Sequence, residues 1–344
     1  MADDGAESAR EKLLRLAGGY RLTQALYVAA KLGIADRLVG GPRDSDSLAR
    51  ELGAHPDRLF RLLRALASSG VFTLDSERRF GLGPLGEYLR SDVPGSLDAF
   101  VTFQGEEPYR AFGELLHTVR TGETAFEYVY GMGHFDYLAH HPEASTTFHR
   151  TMAAGQLEEP ENPLEGCDLS NRRVVVDVGG GRGALLAAVL RRQPTLRGIL
   201  FDLPNAVVEA SAFLGSLGIR DRCEIRTGSA FDAIPSGGDV YVMARILHDW
   251  PDAKALQLLR NCRGAITDEG MLILREGVLS EGSPSAARAS LDLLMMAVPG
   301  GRERTEAEWR ELLHRAGFAL QRVLPGRRNQ DLILAVPEVP PTAP

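Results

Sequence analysis

A run of glycines follows a valine-rich segment near the middle of the chain: Val174–Val178 leads into Gly179-Gly180-Gly181-Arg182-Gly183. Glycine lets the backbone turn through dihedral angles closed to other residues, and it leaves room for a ligand against the loop. About 20 residues later the next strand-like run ends in Asp202, where a carboxylate can accept hydrogen bonds from both hydroxyls of a ribose. Together these features predict a nucleoside-cofactor site, although Asp202 could instead cap a helix starting near Asn205.

The glycine loop alone does not identify the nucleoside, because a dinucleotide-dependent dehydrogenase would explain it about as well. Loops that bind NAD usually read Gly-x-Gly-x-x-Gly, which lets a pyrophosphate rest at the start of the following helix. The segment Gly179 to Gly183 lacks that spacing. It favours S-adenosylmethionine (SAM), which carries no phosphate.

The elements around the loop predict an α/β fold for the second half of the chain. Strand-like and helical segments alternate there, which is typical of a mainly parallel sheet covered by helices on both faces, a Rossmann-like arrangement. A final helix and two strands are expected to close the sheet with an antiparallel pair. The predicted strands are 174–178, 198–202, 223–227, 239–243, 271–276, 319–323 and 331–336, and the predicted helices are 184–192, 205–217, 253–264 and 304–315.

The first half is mainly helical. Residues 46–52 and 57–69 predict two helices joined by a turn, and residues 71–74 and 79–82 predict a β-hairpin, which completes a winged-helix outline. Pro160 and Pro163 interrupt the pattern before the valine-rich run, so we place the domain boundary between residues 1–160 and 161–344.

Composition restricts the class of protein. The 344 residues are 44% hydrophobic with a net charge of −7, so the chain is long enough for two globular domains and does not favour polyanionic partners. The three cysteines form no Cys-x-x-Cys, which argues against a disulfide framework or a zinc site. The acidic N-terminus has no apolar leader, and no apolar run reaches about 18 residues. These features predict a cytoplasmic protein without a bound metal.

Four motifs occur in order: residues 176–183, 201–204, 247–252 and 300–305 read VDVGGGRG, FDLP, LHDWPD and GGRERT. In this order they resemble the SAM-dependent O-methyltransferases of the caffeate and hydroxyindole type, particularly bacterial members that modify aromatic secondary metabolites, and the resemblance covers nearly the whole chain. It implies a Rossmann-like SAM methyltransferase domain preceded by a mainly α, winged-helix-like dimerisation domain. It also implies methylation of an aromatic hydroxyl, a homodimer, and neither nucleic acid nor membrane as a partner.

The resemblance also implies the cofactor contacts. Gly179 and Gly181 would lie under the methionine part of SAM, Asp202 with Leu203 would hold the ribose, and Gln156 would lie near the carboxylate end. The adenine would be flanked by Ser229, Ala230 and Phe231, where plant members carry Asp in place of Ser229 and Met in place of Ala230. Ala244 stands where plant members have a SAM-contacting lysine, so we expect the neighbouring Arg245 to take over part of that role.

His248 is the predicted general base. It follows the predicted strand 239–243, which places it at the carboxyl edge of the sheet, and an imidazole titrates near neutrality. Glu276 and Glu303 match the family positions that flank this histidine and would stabilise the imidazolium. The alternatives are that His248 pairs structurally with Asp249 or caps a helix, that Glu303 is a helix-capping acid, and that Glu276 is a solvated loop charge.

The acceptor pocket is harder to predict, because apolar side chains at helical spacing are more often core than pocket. The resemblance implies substrate contacts from Phe103, Phe148, Met152, Asp249, Met295 and Met296. Two other functions stay open: a SAM-binding hydroxylase or decarboxylase with this fold, and a ligand-sensing DNA-binding regulator whose Arg58, Arg61 and Arg64 contact phosphates.

Overall fold

The computed structural model describes residues 8–157, 162–282, 284–326 and 330–338, with only the backbone described for 153–157. The chain forms two compact units. The first comprises Met1–Gly113 and Phe135–Glu158, and the second comprises Glu114–His134 and Glu159–Pro344. Unlike the single boundary expected after residue 160, the structure assigns residues 114–134 to the second unit. Helical periodicity shows that a segment is helical but not which core it packs against.

Eleven helices and three short strands precede the valine-rich run in the described residues. The helices are α1 (Ala9–Ala17), α2 (Tyr20–Lys31), α3 (Ile34–Arg37), α4 (Ser45–Leu52), α5 (Pro56–Ser68), α6 (Asp98–Gly105), α7 (Glu107–Gly113), α8 (Leu115–Thr121), α9 (Ala125–Tyr130), α10 (His134–His140) and α11 (Pro142–Leu157), and the strands are β1 (Arg43–Asp44), β2 (Phe72–Leu74) and β3 (Arg79–Leu82).

The expected helix–turn–helix and hairpin are present in the first unit. The Asp44 side chain accepts the backbone N–H of Ser47 at 2.8 Å and so caps α4, while Gly53 ends that helix at φ 62°. Helix α5 buries Leu59, Leu63 and Leu66 on one face. Strand β3 lies between β1 and β2, and both pairings are antiparallel.

A seven-stranded sheet forms the centre of the second unit, in the order β11-β12-β8-β7-β4-β5-β6. All neighbours are parallel except β12, which is antiparallel to both β8 and β11, as expected for the closing pair. Buried apolar side chains cover both faces of the sheet. Its elements are β4 (Val174–Val178), α12 (Ala184–Arg192), β5 (Arg197–Asp202), α13 (Ala210–Ser216), β6 (Cys223–Thr227), β7 (Val240–Ala244), α14 (Asp252–Ala265), β8 (Met271–Glu276), β9 (Val278–Leu279), α15 (Ala286–Ala297), β10 (Arg304–Thr305), α16 (Glu306–Arg315), β11 (Phe318–Leu324) and β12 (Asp331–Pro337).

Two predicted boundaries are wrong for local reasons. Helix α13 begins at Ala210 rather than near Asn205, because residues 203–209 form successive turns after Pro204. Helix α16 begins at Glu306, since Thr305 and Glu308 form a reciprocal capping box. The preceding residues Arg304 and Thr305 pair in parallel with β9, a short ladder that the sequence did not predict. Within the described residues, no helix has the length and apolar content needed to cross a membrane.

Candidate active site

The glycine loop makes a tight turn after β4. Gly179, Gly181 and Gly183 have φ of 73°, 56° and 86°, the left-handed region that favours glycine. A Cβ on Gly179 would lie 2.4 Å from Cδ1 of Ile246, whereas a Cβ on Gly181 would meet no atom within 4 Å. One side of the loop is therefore packed, and the side at Gly181 is open.

Asp202 ties the loop to the next strand. It ends β5, and one carboxylate oxygen accepts the backbone N–H of Gly181 at 2.8 Å while the other accepts that of Leu203 at 2.7 Å. Helix α13 starts eight residues further along with Glu209 at its N-cap, so the alternative that Asp202 caps this helix is wrong. An open glycine loop beside a carboxylate at the end of a neighbouring parallel strand fits the methionine and ribose parts of SAM.

The segment predicted to flank adenine follows β6. The Gly228 backbone N–H donates to the carbonyl of Asp202 at 3.0 Å, which brings this segment beside the glycine loop. The Ser229 hydroxyl accepts the N–H of Phe231 at 3.2 Å, and Asn261 donates to the carbonyls of Ala230 and Phe231. The Phe231 ring packs edge-on against Trp250, with centroids 4.7 Å apart.

Arg245 follows β7 directly and precedes the turn that carries His248. Its φ is 57°, an unusual value for a non-glycine residue and one that is found at strained functional turns. Its backbone N–H donates to the carbonyl of Arg275 at 3.1 Å. The side chain of Gln156, the other residue predicted for SAM, lies outside the described residues, although its backbone belongs to α11.

His248 lies on a short 3₁₀ turn, Leu247–Asp249, that follows β7, and it is only 8% exposed. Its Nδ1 is 2.7 Å from Oε1 of Glu303 and 3.8 Å from Oε2 of Glu276. Its Nε2 is 3.6 Å from Oδ1 of Asp249. The three residues predicted to be catalytic therefore form one buried cluster, with Asp249 on the opposite side of the ring.

The carboxylates control the protonation of this cluster. Burial alone lowers the pKa of His248, but the negative charges of Glu276, Asp249 and Glu303 outweigh it and raise that pKa to about 9. Burial raises the pKa of Glu276 to about 7 against the opposing charge of His248. The pKa of Asp249 is raised to about 6 by burial, which His248 and Arg245 oppose. A positive imidazole ring is thus strongly stabilised here.

Three elements position the His248 turn. Glu276, at the end of β8, accepts the backbone N–H groups of Ile246 at 2.9 Å and Leu247 at 2.8 Å. Gly301 packs so closely that a Cβ there would lie 1.9 Å from the carbonyl oxygen of His248. Arg304 donates to the carbonyls of Leu247 and Trp250. Gly301 and Arg304 were not among the residues expected at this site, although both lie in the motif at 300–305.

The structure excludes most of the alternatives for these side chains. Glu276 is 0% exposed, so it is not a solvated loop charge. Thr305 is the N-cap of α16, so Glu303 is not the capping acid, and Pro251 is the N-cap of α14, so His248 does not cap that helix. An interaction between His248 and Asp249 is present, but at 3.6 Å it is longer than the contact with Glu303.

The residues predicted to line an acceptor pocket belong to both units. In the second unit, Met295 is buried and Met296 half-buried on α15. In the first unit the rings of Phe103 and Phe148 pack edge-on with centroids 5.8 Å apart, and Met152 is half-buried on α11. The contact between Phe103 and Phe148 is accounted for by core packing within that unit.

Comparison with known proteins identifies the family of this chain. The sequence pattern of an O-methyltransferase domain matches residues 112–319, and that of an O-methyltransferase dimerisation domain matches residues 14–92. The phenazine O-methyltransferase PhzM of Lysobacter antibioticus is 43% identical over 333 residues, covering 97% of this chain and 98% of the relative. The 3-amino-4-hydroxybenzoate 4-O-methyltransferase of Streptomyces cremeus is 39% identical over 319 residues, covering 92% and 87%.

A solved structure extends the likeness to the cofactor. The O-methyltransferase NcsB1 from neocarzinostatin biosynthesis, crystallised with SAM and 2-hydroxy-5-methyl naphthoic acid, has a TM-score of 0.84 and 32% identity, covering 98% of this chain and all of its own. The glycine loop with Asp202, the buried His248 cluster and these relatives lead to one conclusion: the chain belongs to the O-methyltransferase family and is a SAM-dependent methyltransferase.

Proposed function

We propose that the protein transfers a methyl group from SAM to a hydroxyl of an aromatic natural product, a polyketide or phenolic compound, with His248 as the general base. The observation that carries the proposal is the buried 2.7 Å contact between Nδ1 of His248 and the Glu303 carboxylate. An ionised carboxylate only accepts hydrogen bonds, so the proton of a neutral ring is held on Nδ1 and Nε2 is left to accept another.

The chemistry then follows from the ring's orientation. Bound SAM supplies an electrophilic methyl group on a positively charged sulfur. The acceptor hydroxyl gives its proton to Nε2 of His248 while its oxygen forms a bond to the methyl carbon. The carbon–sulfur bond breaks with its electron pair on sulfur, which leaves S-adenosylhomocysteine. Glu303 and Glu276 stabilise the imidazolium produced by this step.

The remaining site residues have supporting roles in the proposal. Gly179, Gly181, Asp202 and Leu203 bind the methionine and ribose parts of SAM, residues 229–231 flank its adenine, and Arg245 contributes near the methionine end. Asp249, 3.6 Å from Nε2 of His248, contacts the acceptor. Met295 and Met296 on α15 supply apolar contacts, which suit an aromatic acceptor. The aromatic compounds named for PhzM, the hydroxybenzoate enzyme and NcsB1 support this acceptor class.

The experiment is an acceptor screen. Purified protein is incubated with SAM and a panel of phenolic phenazines, hydroxybenzoates and hydroxynaphthoates, and products heavier by one CH₂ unit are sought by mass spectrometry. His248→Ala should lower turnover of the best acceptor by about 10²- to 10⁴-fold, the usual contribution of a general base. SAM affinity, measured by calorimetry, should stay within about twofold, because no step of binding uses the ring.

Two outcomes would contradict the proposal. Near-normal turnover by His248→Ala would exclude His248 as the base. Oxygen incorporation or loss of carbon dioxide, in place of methylation, would favour the hydroxylase or decarboxylase alternative. Glu306→Gln is the control, since Glu306 is exposed on α16 and pairs only with Arg310 among the described ion pairs.

We further propose that the protein is a homodimer joined through its first unit. The match of residues 14–92 to a dimerisation domain supports this assembly. On α1 the apolar side chains Leu13, Leu14 and Leu16 are 57–68% exposed, a face that a second copy would cover. Light scattering coupled to gel filtration should give twice the chain mass. A monomer at micromolar concentration would contradict the assembly.

A further inference from the structure

The turn that carries His248 is short, and residues from distant parts of the chain hold its backbone. Its backbone forms a single 3₁₀ turn, Leu247–Asp249, without a side-chain cap. Two of its carbonyl groups, those of Leu247 and His248, and that of the following residue Trp250 accept hydrogen bonds from residues 302–304. The orientation of the imidazole therefore depends on a segment more than 50 residues further along the chain.

Arg304 makes most of these contacts. A guanidinium has five N–H donors in a rigid plane, and all five have an acceptor. Nη1 donates to the carbonyls of Leu247 at 3.1 Å and Arg302 at 3.4 Å, and Nη2 donates to the carbonyl of Trp250 at 2.9 Å. Nε and Nη2 donate to one oxygen of Asp252 at 3.0 and 2.9 Å.

The position of this guanidinium is unusual for a charged group. Arg304 is 1% exposed, and its guanidinium carbon lies 5.0 Å from the centre of the Trp309 ring. Fully buried arginines are rare unless every donor is satisfied, because removing the charge from water is costly. Its acceptors include carbonyls on both sides of His248 in the sequence, so the group fixes the turn from either end.

The same segment also holds the imidazole itself. Glu303, the residue before Arg304, contacts Nδ1 of His248, and the Arg302 N–H donates to the His248 carbonyl at 2.9 Å. Gly301 leaves no space for a side chain against that carbonyl. Residues 301–304 thus contact the imidazole ring of His248 through Glu303 and the backbone of the His248 turn through Gly301, Arg302 and Arg304.

We propose that Arg304 is a positioning residue that fixes the backbone of the His248 turn and thereby sets where Nε2 meets the acceptor hydroxyl. The role rests on the proposed function, in which His248 is the base. Lysine cannot replace arginine here, because it has three donors on a flexible chain and cannot reach Leu247, Trp250 and Asp252 together in one plane. Arg304→Lys keeps the positive charge but removes the planar set of donors that reaches these acceptors.

The test combines Arg304→Lys with His248→Ala in a double-mutant cycle on the acceptor turned over fastest in the screen. Arg304→Lys should lower kcat by about 10²-fold, since displacing a catalytic group by about 1 Å has effects of that size. The KM for SAM should stay within about twofold. In the His248→Ala background the same substitution should have almost no further effect, because Arg304 acts through the ring.

A second readout does not depend on any acceptor. In histidine NMR titrations the pKa of His248 should fall in Arg304→Lys from about 9 toward the ordinary value of 6.5, as the ring loses its fixed distances from Glu276, Asp249 and Glu303. Arg310→Lys, on the exposed face of α16, is the matched control and should leave kcat and the titration unchanged. Should Arg304→Lys fail to fold, Asp252→Asn weakens the same anchor at its half-exposed end and should lower kcat severalfold.

The outcomes separate this inference from the proposed function. Near-normal turnover by His248→Ala overturns the base. An unchanged His248 titration in Arg304→Lys, or an equal loss of kcat in both backgrounds, overturns the role of Arg304 alone. A lower melting temperature with normal kcat below that temperature would make Arg304 a structural residue only, and would overturn the inference as well.

Discussion

The glycine loop and the His248 turn lie at the same edge of one sheet but are held in different ways. The loop takes its shape from glycines at positive φ and from one carboxylate, Asp202, 21 residues from its partner Gly181. The turn takes its shape from Glu276, Glu303 and Arg304, whose contacts span 29 to 57 residues. The proposed cofactor contacts therefore depend on local backbone geometry, and the proposed proton transfer depends on long-range packing.

Among variants that keep every proposed catalytic side chain, the largest expected effect comes from disturbing the turn. Gly301→Ala would place a Cβ 1.9 Å from the carbonyl oxygen of His248, so the turn or the segment must move. We expect kcat to fall by about 10²-fold, the scale associated with a displacement of about 1 Å. SAM affinity, measured by calorimetry, should change little.

Gly264→Ala is the matched control, because Gly264 lies in α14 of the same unit with open space at its Cβ and alanine favours a helix. Equal losses of kcat in the two variants would mean that the effect is not specific to the His248 turn. A loss of SAM affinity in Gly301→Ala alone would mean that the turn and the glycine loop do not act independently.

Asp202→Asn should have a smaller effect, and on SAM affinity rather than on kcat. Gly181 and Leu203 donate to different oxygens of Asp202, and asparagine carries an NH₂ donor in place of one of them, so the loop loses a charged hydrogen bond and the proposed ribose contact weakens. The SAM dissociation constant should rise about 10-fold or more, consistent with 1.5–3 kcal/mol for hydrogen bonds to charged groups. At saturating SAM, kcat should fall only slightly. Asp221→Asn, at an exposed site, should change neither quantity.

The pH dependence of kcat should report on the His248 turn and not on the glycine loop. Because the pKa of His248 is raised to about 9, the neutral base becomes more abundant as pH rises, and kcat should increase up to that pH. Glu303→Gln removes a negative charge that stabilises the imidazolium, so the rising limb should move to lower pH while the plateau falls. If the rising limb of the kcat–pH profile does not move in Glu303→Gln, a group other than His248 controls it.

The smallest effect is expected far from either region. Arg58, Arg61 and Arg64 line an open groove of about 630 Å³ on α5, the part of the helix–turn–helix that a DNA-binding regulator would use. Replacing all three with alanine should leave kcat within about twofold. Gel-shift assays with random duplex at low salt should detect no binding by either form. Binding that disappears in the triple variant would revive the regulatory function.

The sequence predicted the fold where signals are local. The alternation of strands and helices, the closing antiparallel pair and the helix–turn–helix with its hairpin all lie within a few residues of the expected places, since apolar periodicity and capping residues are read over short windows. The start of α13 was misplaced because apolar residues continue through the turns after Pro204. The assignment of residues 114–134 differed because periodicity does not identify a packing partner.

In the candidate site, too, the features set by local sequence were predicted and those set by long-range packing were not. The glycine loop and Asp202 could be read from residue types and spacing, because φ values open to glycine and the carboxyl ends of parallel strands are properties of the local chain. The meeting of His248 with Glu276 and Glu303 was expected only through resemblance. The close approach of Gly301 and the five-fold anchoring by Arg304 were not expected, since nothing in the order of residues shows which carbonyls a buried guanidinium will reach.

By itself the sequence determined the cofactor half of this protein: a loop that only glycine can form and an acid one strand away, because both depend on backbone conformation within about 20 residues. Tertiary structure alone decided the geometry of the proposed catalytic half. The distance from His248 to Glu303, the carboxylates that raise its pKa and the guanidinium that holds its turn arise where β7, β8 and β10 come together in the folded chain.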